Sequence, residues 1–173
     1  SQRKEADVKP KLLDLFCCAG GAGMGYHRAG FEVFGVDKNP QPRYPFWFHR
    51  GDAIGVLARL LAGERIEFTH RLGGRRLIGL HDIAASHASP PCQRSTAYRR
   101  RAAGVGDSYE NLIPQTRYGL DLTGLPYVIE NVETAKDELL APVRYCGSSF
   151  ALDVRRHRLF ESNVALDAPP CDH

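Results

Sequence analysis

The sequence predicts an α/β protein with a Rossmann-like, mainly parallel sheet and helices on both faces of that sheet. Short apolar runs alternate along the chain with stretches whose apolar residues have helical spacing. A glycine-rich segment separates the first two apolar runs, as in a nucleotide-binding βαβ unit. The chain has 173 residues, 43% of them hydrophobic. A chain of this length can bury about 70% of its unfolded surface, so we expect one domain.

The elements follow in order from the apolar pattern. Residues 1–10 are polar and predict a flexible leader, residues 11–166 form the domain, and residues 167–173 form a tail. The predicted elements are a strand over 11–16, a helix that opens over 25–29 and ends at Gly30, a strand over 31–36, a helix over 53–62, a hairpin over 66–78 that turns at Gly73 and Gly74, a strand over 83–88, a flexible loop over 104–108, a helix over 111–122 and a buried strand over 127–132.

The composition argues against a secreted or membrane-spanning protein. No segment resembles a signal peptide, and no apolar run reaches about 18 residues. The five cysteines are an odd number and include the adjacent Cys17 and Cys18, which does not suit a disulfide framework. We therefore expect a soluble cytoplasmic protein, away from membranes, with at least one free thiol.

The charge is only mildly basic. A net charge of +3 does not by itself identify a nucleic-acid-binding domain. The arginines are clustered, however, and a cluster can bind phosphate even when the total charge is small; solvated loops are the alternative. The clusters are Arg71, Arg75 and Arg76, then Arg99, Arg100 and Arg101, then Arg155, Arg156 and Arg158.

The first motif is the glycine turn after the leading strand, which runs from Asp14 through Gly20 and Gly21. Glycines in such a turn let a ligand approach the backbone. Asp37 follows Asp14 by 23 residues. In nucleotide-binding units an acid about 20 residues further on accepts ribose hydroxyls. The turn predicts a nucleoside ligand, although glycine turns also serve dinucleotides or packing alone.

Two further motifs stand at the ends of predicted strands. Ser89-Pro90-Pro91-Cys92-Gln93 holds a thiol after the strand over 83–88, and Glu130-Asn131-Val132 ends the strand over 127–132 and places a carboxylate at the same edge of the sheet. Ligands bind at the carboxyl ends of strands in open α/β sheets. Taken singly, a strand thiol is more often a small core residue and a strand-end glutamate is more often solvated. The conjunction of the two indicates a catalytic site.

These motifs, in this order, resemble those of the DNA methyltransferases that act on carbon 5 of cytosine. The glycine turn, Pro-Cys-Gln and Glu-Asn-Val are followed by an Arg-x-Arg motif, Arg156-His157-Arg158, and the likeness spans residues 11 to about 161. The resemblance implies a methyltransferase fold, S-adenosyl-L-methionine as cofactor and double-stranded DNA as partner. The cofactor-binding residues that it implies are Phe16, Cys18, Gly20, Gly21, Asp37, Lys38, Asp52, Ala53 and Pro91, with Asp37 on the ribose and Asp52 on the adenine amine.

The resemblance also implies a chemistry. The Cys92 thiolate adds to carbon 6 of cytosine and makes carbon 5 nucleophilic, while Glu130 binds N3 and the exocyclic amine. Arg158 contacts the base carbonyl, and Arg156 serves the same pocket or a phosphate. The base that removes the carbon 5 proton is not identified, and water is one candidate.

The target base must leave the duplex to reach the thiol, so the resemblance implies base flipping. We expect the loop over 94–108 to close over the flipped base. The implied DNA contacts are Gln93, Ser95, Thr96, Arg99, Arg100 and Arg101.

The sequence departs from the family at several positions. Cys18 replaces a glycine, Asp37 replaces the longer glutamate, and Val154 stands where a glutamine usually precedes the arginine motif. No target-recognition domain is visible, which leaves a minimal phage-like enzyme, a missing tail or a second subunit as alternatives. Cys171 and His173 are too few ligands for structural zinc, so we expect no metal.

Two other functions stay open. One is a core that binds cofactor or DNA and is inactive without a recognition domain or subunit. The other is an enzyme that transfers a modified methyl group from an altered cofactor, for which the changes at Cys18 and Asp37 are the motivation.

Overall fold

The computed structural model describes residues 9–91 and 110–173. The described residues fall into two compact units, which divide between Ser86 and His87. Several predicted features lie outside the described residues: most of the leader, the loop over 94–108, and Cys92, Gln93, Ser95, Thr96, Arg99, Arg100 and Arg101.

The first unit is built on a βαβ arrangement. Its elements are β1 (Lys11–Leu15), α1 (Gly21–Arg28), β2 (Glu32–Asp37), β3 (Trp47–Arg50), α2 (Ala53–Leu61), β4 (Ile66–His70), β5 (Arg75–Ile78), a 3-10 turn (Leu80–Asp82) and the first four residues of β6 (Ile83–Ala88). The strands lie in the order β5-β4-β3-β2-β1-β6. Since β1 and β2 are parallel and joined by α1, the unit has the predicted α/β, Rossmann-like class.

The sheet is mixed, which corrects the expectation of a mainly parallel one. The pairs β1–β2 and β2–β3 are parallel, whereas β3–β4 and β4–β5 are antiparallel. The β4–β5 hairpin turns at Gly73 and Gly74, both with positive φ, as the sequence predicts. A connection this short can join only antiparallel strands, because a parallel pair needs a crossover.

The core of the first unit depends on one close approach of a ring to the sheet. Tyr44 is 1% exposed and packs with Leu12, Val33 and Phe46. A Cβ on Gly35 would lie 2.2 Å from the Tyr44 hydroxyl oxygen, so only glycine at this strand position leaves room for the ring. Gly35 therefore allows the hydroxyl end of the Tyr44 ring to pack against β2.

The second unit contains the last two residues of β6, α3 (Ile113–Thr123), β7 (Tyr127–Asn131), β8 (Val143–Cys146) and β9 (His157–Ser162), with 3-10 turns at Glu133–Glu138 and Gly147–Phe150. The strand order β7-β9-β8 is antiparallel throughout. Arg117 on α3 donates to both oxygens of buried Glu161 on β9 and to the Glu138 carbonyl. This buried ion pair attaches the helix to the sheet.

Most predicted elements are confirmed within a residue or two, and α1 is the exception because it begins at Gly21 rather than near Gly25. Glycines are poor helix formers, so the sequence pattern placed the start of the helix too late. The early start packs Gly23 against Asp14, Val33 and Phe46, where a Cβ would be 3.1–3.3 Å from each.

Among the described residues, no helix is long and apolar enough to cross a membrane.

Candidate active site

The glycine turn after β1 is held in an unusual backbone conformation. Phe16, Cys18 and Gly20 all have positive φ, at 57°, 46° and 90°. The Cys17 amide donates to the Val36 carbonyl at 3.0 Å, which attaches the turn to β2. Positive φ in two non-glycine residues is uncommon and is often found at functional sites.

Asp37, at the end of β2, shapes this turn. Its carboxylate accepts from the amide of Cys18 at 3.0 Å and from the amide of Asn39 at 2.8 Å. The side chain is only 6% exposed. Each oxygen still has a second lone pair, so Asp37 retains the capacity to accept from a ligand hydroxyl. The contact with ribose stays a prediction.

The start of α1 leaves backbone groups and space for a ligand. Gly20 caps the helix without any side-chain hydrogen bond, and a Cβ on Gly21 would meet nothing within 4 Å. Uncapped amides at a helix N-terminus favour an anionic group, such as a carboxylate. The turn, Asp37 and this helix end come together in the first unit, and their binding of a cofactor stays a prediction.

The remaining predicted cofactor residues of this unit lie just after the ends of β2 and β3. Asp52 caps α2 by accepting from the Gly55 amide at 2.7 Å, and Ala53 is the buried first residue of that helix. Lys38 is exposed, and its carbonyl accepts from Arg50 at 3.3 Å. The Gly51 amide donates to the Asp37 carbonyl at 3.0 Å, which joins the ends of β2 and β3.

Asp14 is a buried acid on β1, just before the turn. The sequence motifs predicted no functional role for it. It is 1% exposed, and its Oδ2 accepts from the Tyr44 hydroxyl at 3.2 Å. Burial raises the pKa of Asp14 to about 7, with a smaller rise from the charge of Asp37 and an opposing effect of the Tyr44 hydrogen bond. A lone acid inside the apolar run Lys11–Leu15 was the available signal.

In the second unit the structure brings two predicted catalytic residues together. Arg158 Nε lies 2.9 Å from Glu130 Oε1, and both side chains are about a quarter exposed. Arg158 also donates to the His157 carbonyl at 2.8 Å. Arg156 is exposed, and its carbonyl accepts from the Gly147 amide. An acid and a guanidinium that are paired yet still reachable can together bind an amide-like ring edge.

The segment that leads to Cys92 is attached to the same strand. The buried Asn131 side chain, next to Glu130, donates to the Pro90 carbonyl at 3.0 Å. His87 bonds to Ser89 at 2.9 Å, and burial lowers the pKa of His87 to about 4, so the imidazole is neutral at pH 7. Pro91 is exposed and is covalently joined to Cys92. Sequence reasoning missed Asn131 and His87 as residues that position this segment.

The first arginine cluster is engaged in the fold. Arg76 stacks on Trp47 and pairs with Glu32 at 2.6 Å, while Arg75 lies 3.6 Å from Glu67. These partners neutralise two of the three arginines, so the cluster offers less free positive charge than its sequence suggests.

The first unit has an α/β fold with a glycine turn and an acid at the end of β2, and the second unit holds the Glu130–Arg158 pair. No family model and no curated protein matches the sequence. Among solved structures, the chain is similar to a SAM-dependent methyltransferase from Agrobacterium tumefaciens, with 16% identity, a TM-score of 0.45 and coverage of 91% of this chain and 56% of that one.

Two Dnmt2 structures are similar to the same degree. The S. pombe Dnmt2 methyltransferase has 15% identity and a TM-score of 0.49, covering 92% of this chain and 52% of that one. A DNMT2 mutant from Spodoptera frugiperda has 15% identity and a TM-score of 0.48, covering 88% and 50%. The chain thus spans about half the length of the structures that it matches.

Proposed function

We propose that this chain transfers a methyl group from S-adenosyl-L-methionine to carbon 5 of cytosine in double-stranded DNA, with Cys92 as the nucleophile. The observation that carries the proposal is the Glu130–Arg158 pair, beside which Asn131 attaches the Pro90 segment that continues into Cys92. Glu130 and Arg158 thereby meet at one strand end, and the segment that precedes Cys92 in the chain is attached to the same strand.

The Glu130–Arg158 pair suits the edge of a cytosine ring. One Glu130 oxygen would accept from the exocyclic amine and the other would share a proton with N3, while Arg158 would donate to the base carbonyl. These contacts strengthen as negative charge develops on the ring, which is the property required of a catalytic contact. The pairing at 2.9 Å orients both side chains before any base arrives.

The first unit supports the choice of cofactor. The cofactor supplies an electrophilic methyl group. The open space at Gly21 and the uncapped amides of α1 suit its carboxylate end, while the spare lone pairs of Asp37 and Asp52 suit hydroxyl and amine donors. Cys18 contributes its amide to Asp37, which a glycine at this position would also do.

The Cys92 sulfur would form a bond to carbon 6, and the electron pair of the carbon 5–carbon 6 double bond would then form the bond to the methyl group, whose bond to the cofactor sulfur would break with release of S-adenosyl-L-homocysteine. A base, water included, would remove the carbon 5 proton, and the returning electrons would expel the Cys92 thiolate. The thiolate is regenerated, so the protein is unchanged after one turnover. The target base must be flipped out of the duplex for these bonds to form.

The test is a covalent trap. A duplex with 5-fluorocytosine in place of cytosine cannot lose a proton from carbon 5, so the wild-type chain with cofactor should form a denaturant-resistant adduct. Cys92→Ser should form none while it binds the duplex with unchanged affinity. Glu130→Gln should slow adduct formation by about 100-fold, the usual cost of one such contact.

The outcomes separate the proposal from a binding core. Binding of cofactor and duplex without an adduct in the wild type would support the inactive core and contradict the proposal. An adduct of equal yield with Cys92→Ser would exclude Cys92 as the nucleophile. Mass spectrometry of nucleosides from methylated duplex identifies the transferred group.

A further inference from the structure

Four potential metal ligands lie together in the second unit, and none of them belongs to the Glu130–Arg158 pair. Cys146 is the last residue of β8 and His157 the first of β9, and the two are register partners in the antiparallel hairpin. Directly opposite residues of such a pair place their side chains on the same face. Cys171 and His173 come from the chain after β9 and complete the group.

The spacing of the ligand atoms is close to that of a tetrahedral site. Cys171 Sγ lies 3.6 Å from His157 Nε2, and Cys146 Sγ lies 3.8 Å from His173 Nδ1. All four ligand atoms lie within 4.8 Å of one another. Zinc bonds of about 2.3 Å to sulfur and 2.0–2.1 Å to nitrogen put the edges of a tetrahedron at about 3.4–3.8 Å. The two contacts already fall close to this range, and the widest separation, up to 4.8 Å, would have to shorten by about 1 Å to seat the ion.

The outer contacts are those expected around such a site. His157 Nδ1 lies 3.1 Å from Glu133 Oε1, which leaves Nε2 on the side of Cys171. A carboxylate on the second ring nitrogen fixes the tautomer of a metal-binding histidine. Ser148 Oγ lies 3.1 Å from both Cys146 Sγ and His173 Nδ1, so its hydroxyl can donate to a thiolate.

The C-terminal segment is held in place independently of the four ligands. Tyr145 donates to the Asp167 carbonyl at 2.7 Å, Ser149 donates to the Pro170 carbonyl at 2.7 Å, and the Asp172 amide donates to Ser148 at 3.3 Å. Cys171 and His173 are therefore brought to the hairpin by hydrogen bonds that do not involve their own side chains.

We propose that Cys146, His157, Cys171 and His173 form a structural Zn²⁺ site that fastens the C-terminal segment to the β8–β9 hairpin. Two thiolates and two imidazoles are a closed, soft ligand set of the kind that selects zinc. Binding releases two thiol protons to solvent and leaves a neutral centre, with no redox change. The site does not depend on the proposed methyl transfer.

The experiment measures zinc directly in the full chain, purified without a histidine tag and in reducing buffer. Elemental analysis should find about one zinc per chain, and Co²⁺ should produce tetrahedral d–d bands with a thiolate charge-transfer band. Cys171→Ser and His173→Ala should weaken zinc binding at least 10-fold in competition with a chromogenic chelator. Cys18→Ser and His81→Ala remove a thiol and an imidazole outside the group, so these two variants should bind zinc with wild-type affinity.

Circular dichroism checks that the variants fold, and the wild-type cobalt spectrum is independent of them. A wild-type chain that takes up neither zinc nor cobalt would overturn the proposal. So would equal zinc affinity in Cys171→Ser, or a thiol count showing a Cys146–Cys171 disulfide in the chain as purified.

Discussion

Substitution of Asp14 by asparagine removes a charge from the core of the first unit without changing the shape of the side chain. Asp14 is 1% exposed, and its Oδ1 has no hydrogen-bond partner. Burial raises its pKa from 3.8 to about 7, so the folded chain holds a proton that the unfolded chain releases between these values. The contribution of Asp14 to stability is therefore complete below about pH 4 and is lost as the pH rises to 7.

The magnitude follows from the same shift. Each pKa unit corresponds to 1.36 kcal/mol, so the rise from 3.8 to about 7 amounts to about 4 kcal/mol. Asp14→Asn stays neutral at every pH. The free energy of unfolding of the variant, relative to wild type, should rise by about 4 kcal/mol from pH 4 to pH 8. Burial lowers the pKa of His87, which acts in the opposite direction, but that effect is common to both proteins and cancels.

The assay is urea unfolding at pH 4, 6 and 8, followed by fluorescence of the single tryptophan, Trp47, which lies in the same unit. Tyr44→Phe is the matched control. Loss of the Tyr44 hydrogen bond should raise the pKa of Asp14, so this variant should lose stability at a higher pH than the wild type does. A difference between Asp14→Asn and wild type that stays constant within about 1 kcal/mol across this range would refute the reasoning.

Three further predictions follow from glycine packing, from the buried Arg117–Glu161 ion pair and from the proposed cofactor site. Gly35→Ala should cost at least about 2 kcal/mol because the new Cβ would lie 2.2 Å from the Tyr44 hydroxyl, whereas Gly25→Ala, with nothing within 4 Å, should stabilise α1 by about 0.5–1 kcal/mol; thermal unfolding distinguishes them. Arg117→Met should cost about 3–5 kcal/mol because it leaves the 3% exposed Glu161 without its cation, and addition of Glu161→Gln should recover part of that loss in urea unfolding. Full additivity would contradict the ion-pair account. Gly21→Ala should not lower the melting temperature but should weaken S-adenosylmethionine binding at least about 10-fold by calorimetry, since its Cβ would enter the proposed cofactor site. Equal affinity would place the cofactor elsewhere.

The periodicity of the sequence predicted the elements well wherever an apolar run was followed by a glycine or proline that ends a strand or helix. The strand Ile83–Ala88 and the hairpin at Gly73 and Gly74 lie where the pattern placed them. The sequence placed the start of α1 too late because its first turns contain three glycines, which have low helical propensity. The close packing of Gly23 against β1 and β2 outweighs that low propensity. Tertiary contact decided that boundary.

The site was predictable in its residue types but not in its hydrogen bonds. Glu130 and Arg158 were chosen from motifs, and the structure pairs them. The sequence did not indicate that Asn131 holds the Pro90 segment or that Asp37 spends one lone pair of each oxygen on the turn. Such bonds join positions whose separation along the chain carries no regular period.

By itself, the sequence determined the alternation of strands and helices, the glycine turn with its following acid, and the order of the motifs, because these depend on local spacing and residue chemistry. Only the tertiary structure decided which strands run antiparallel and which distant side chains meet. The clearest case is the group Cys146, His157, Cys171 and His173, of which the sequence suggested only the last two. The register of β8 against β9 sets Cys146 opposite His157, and that register is a property of the folded sheet.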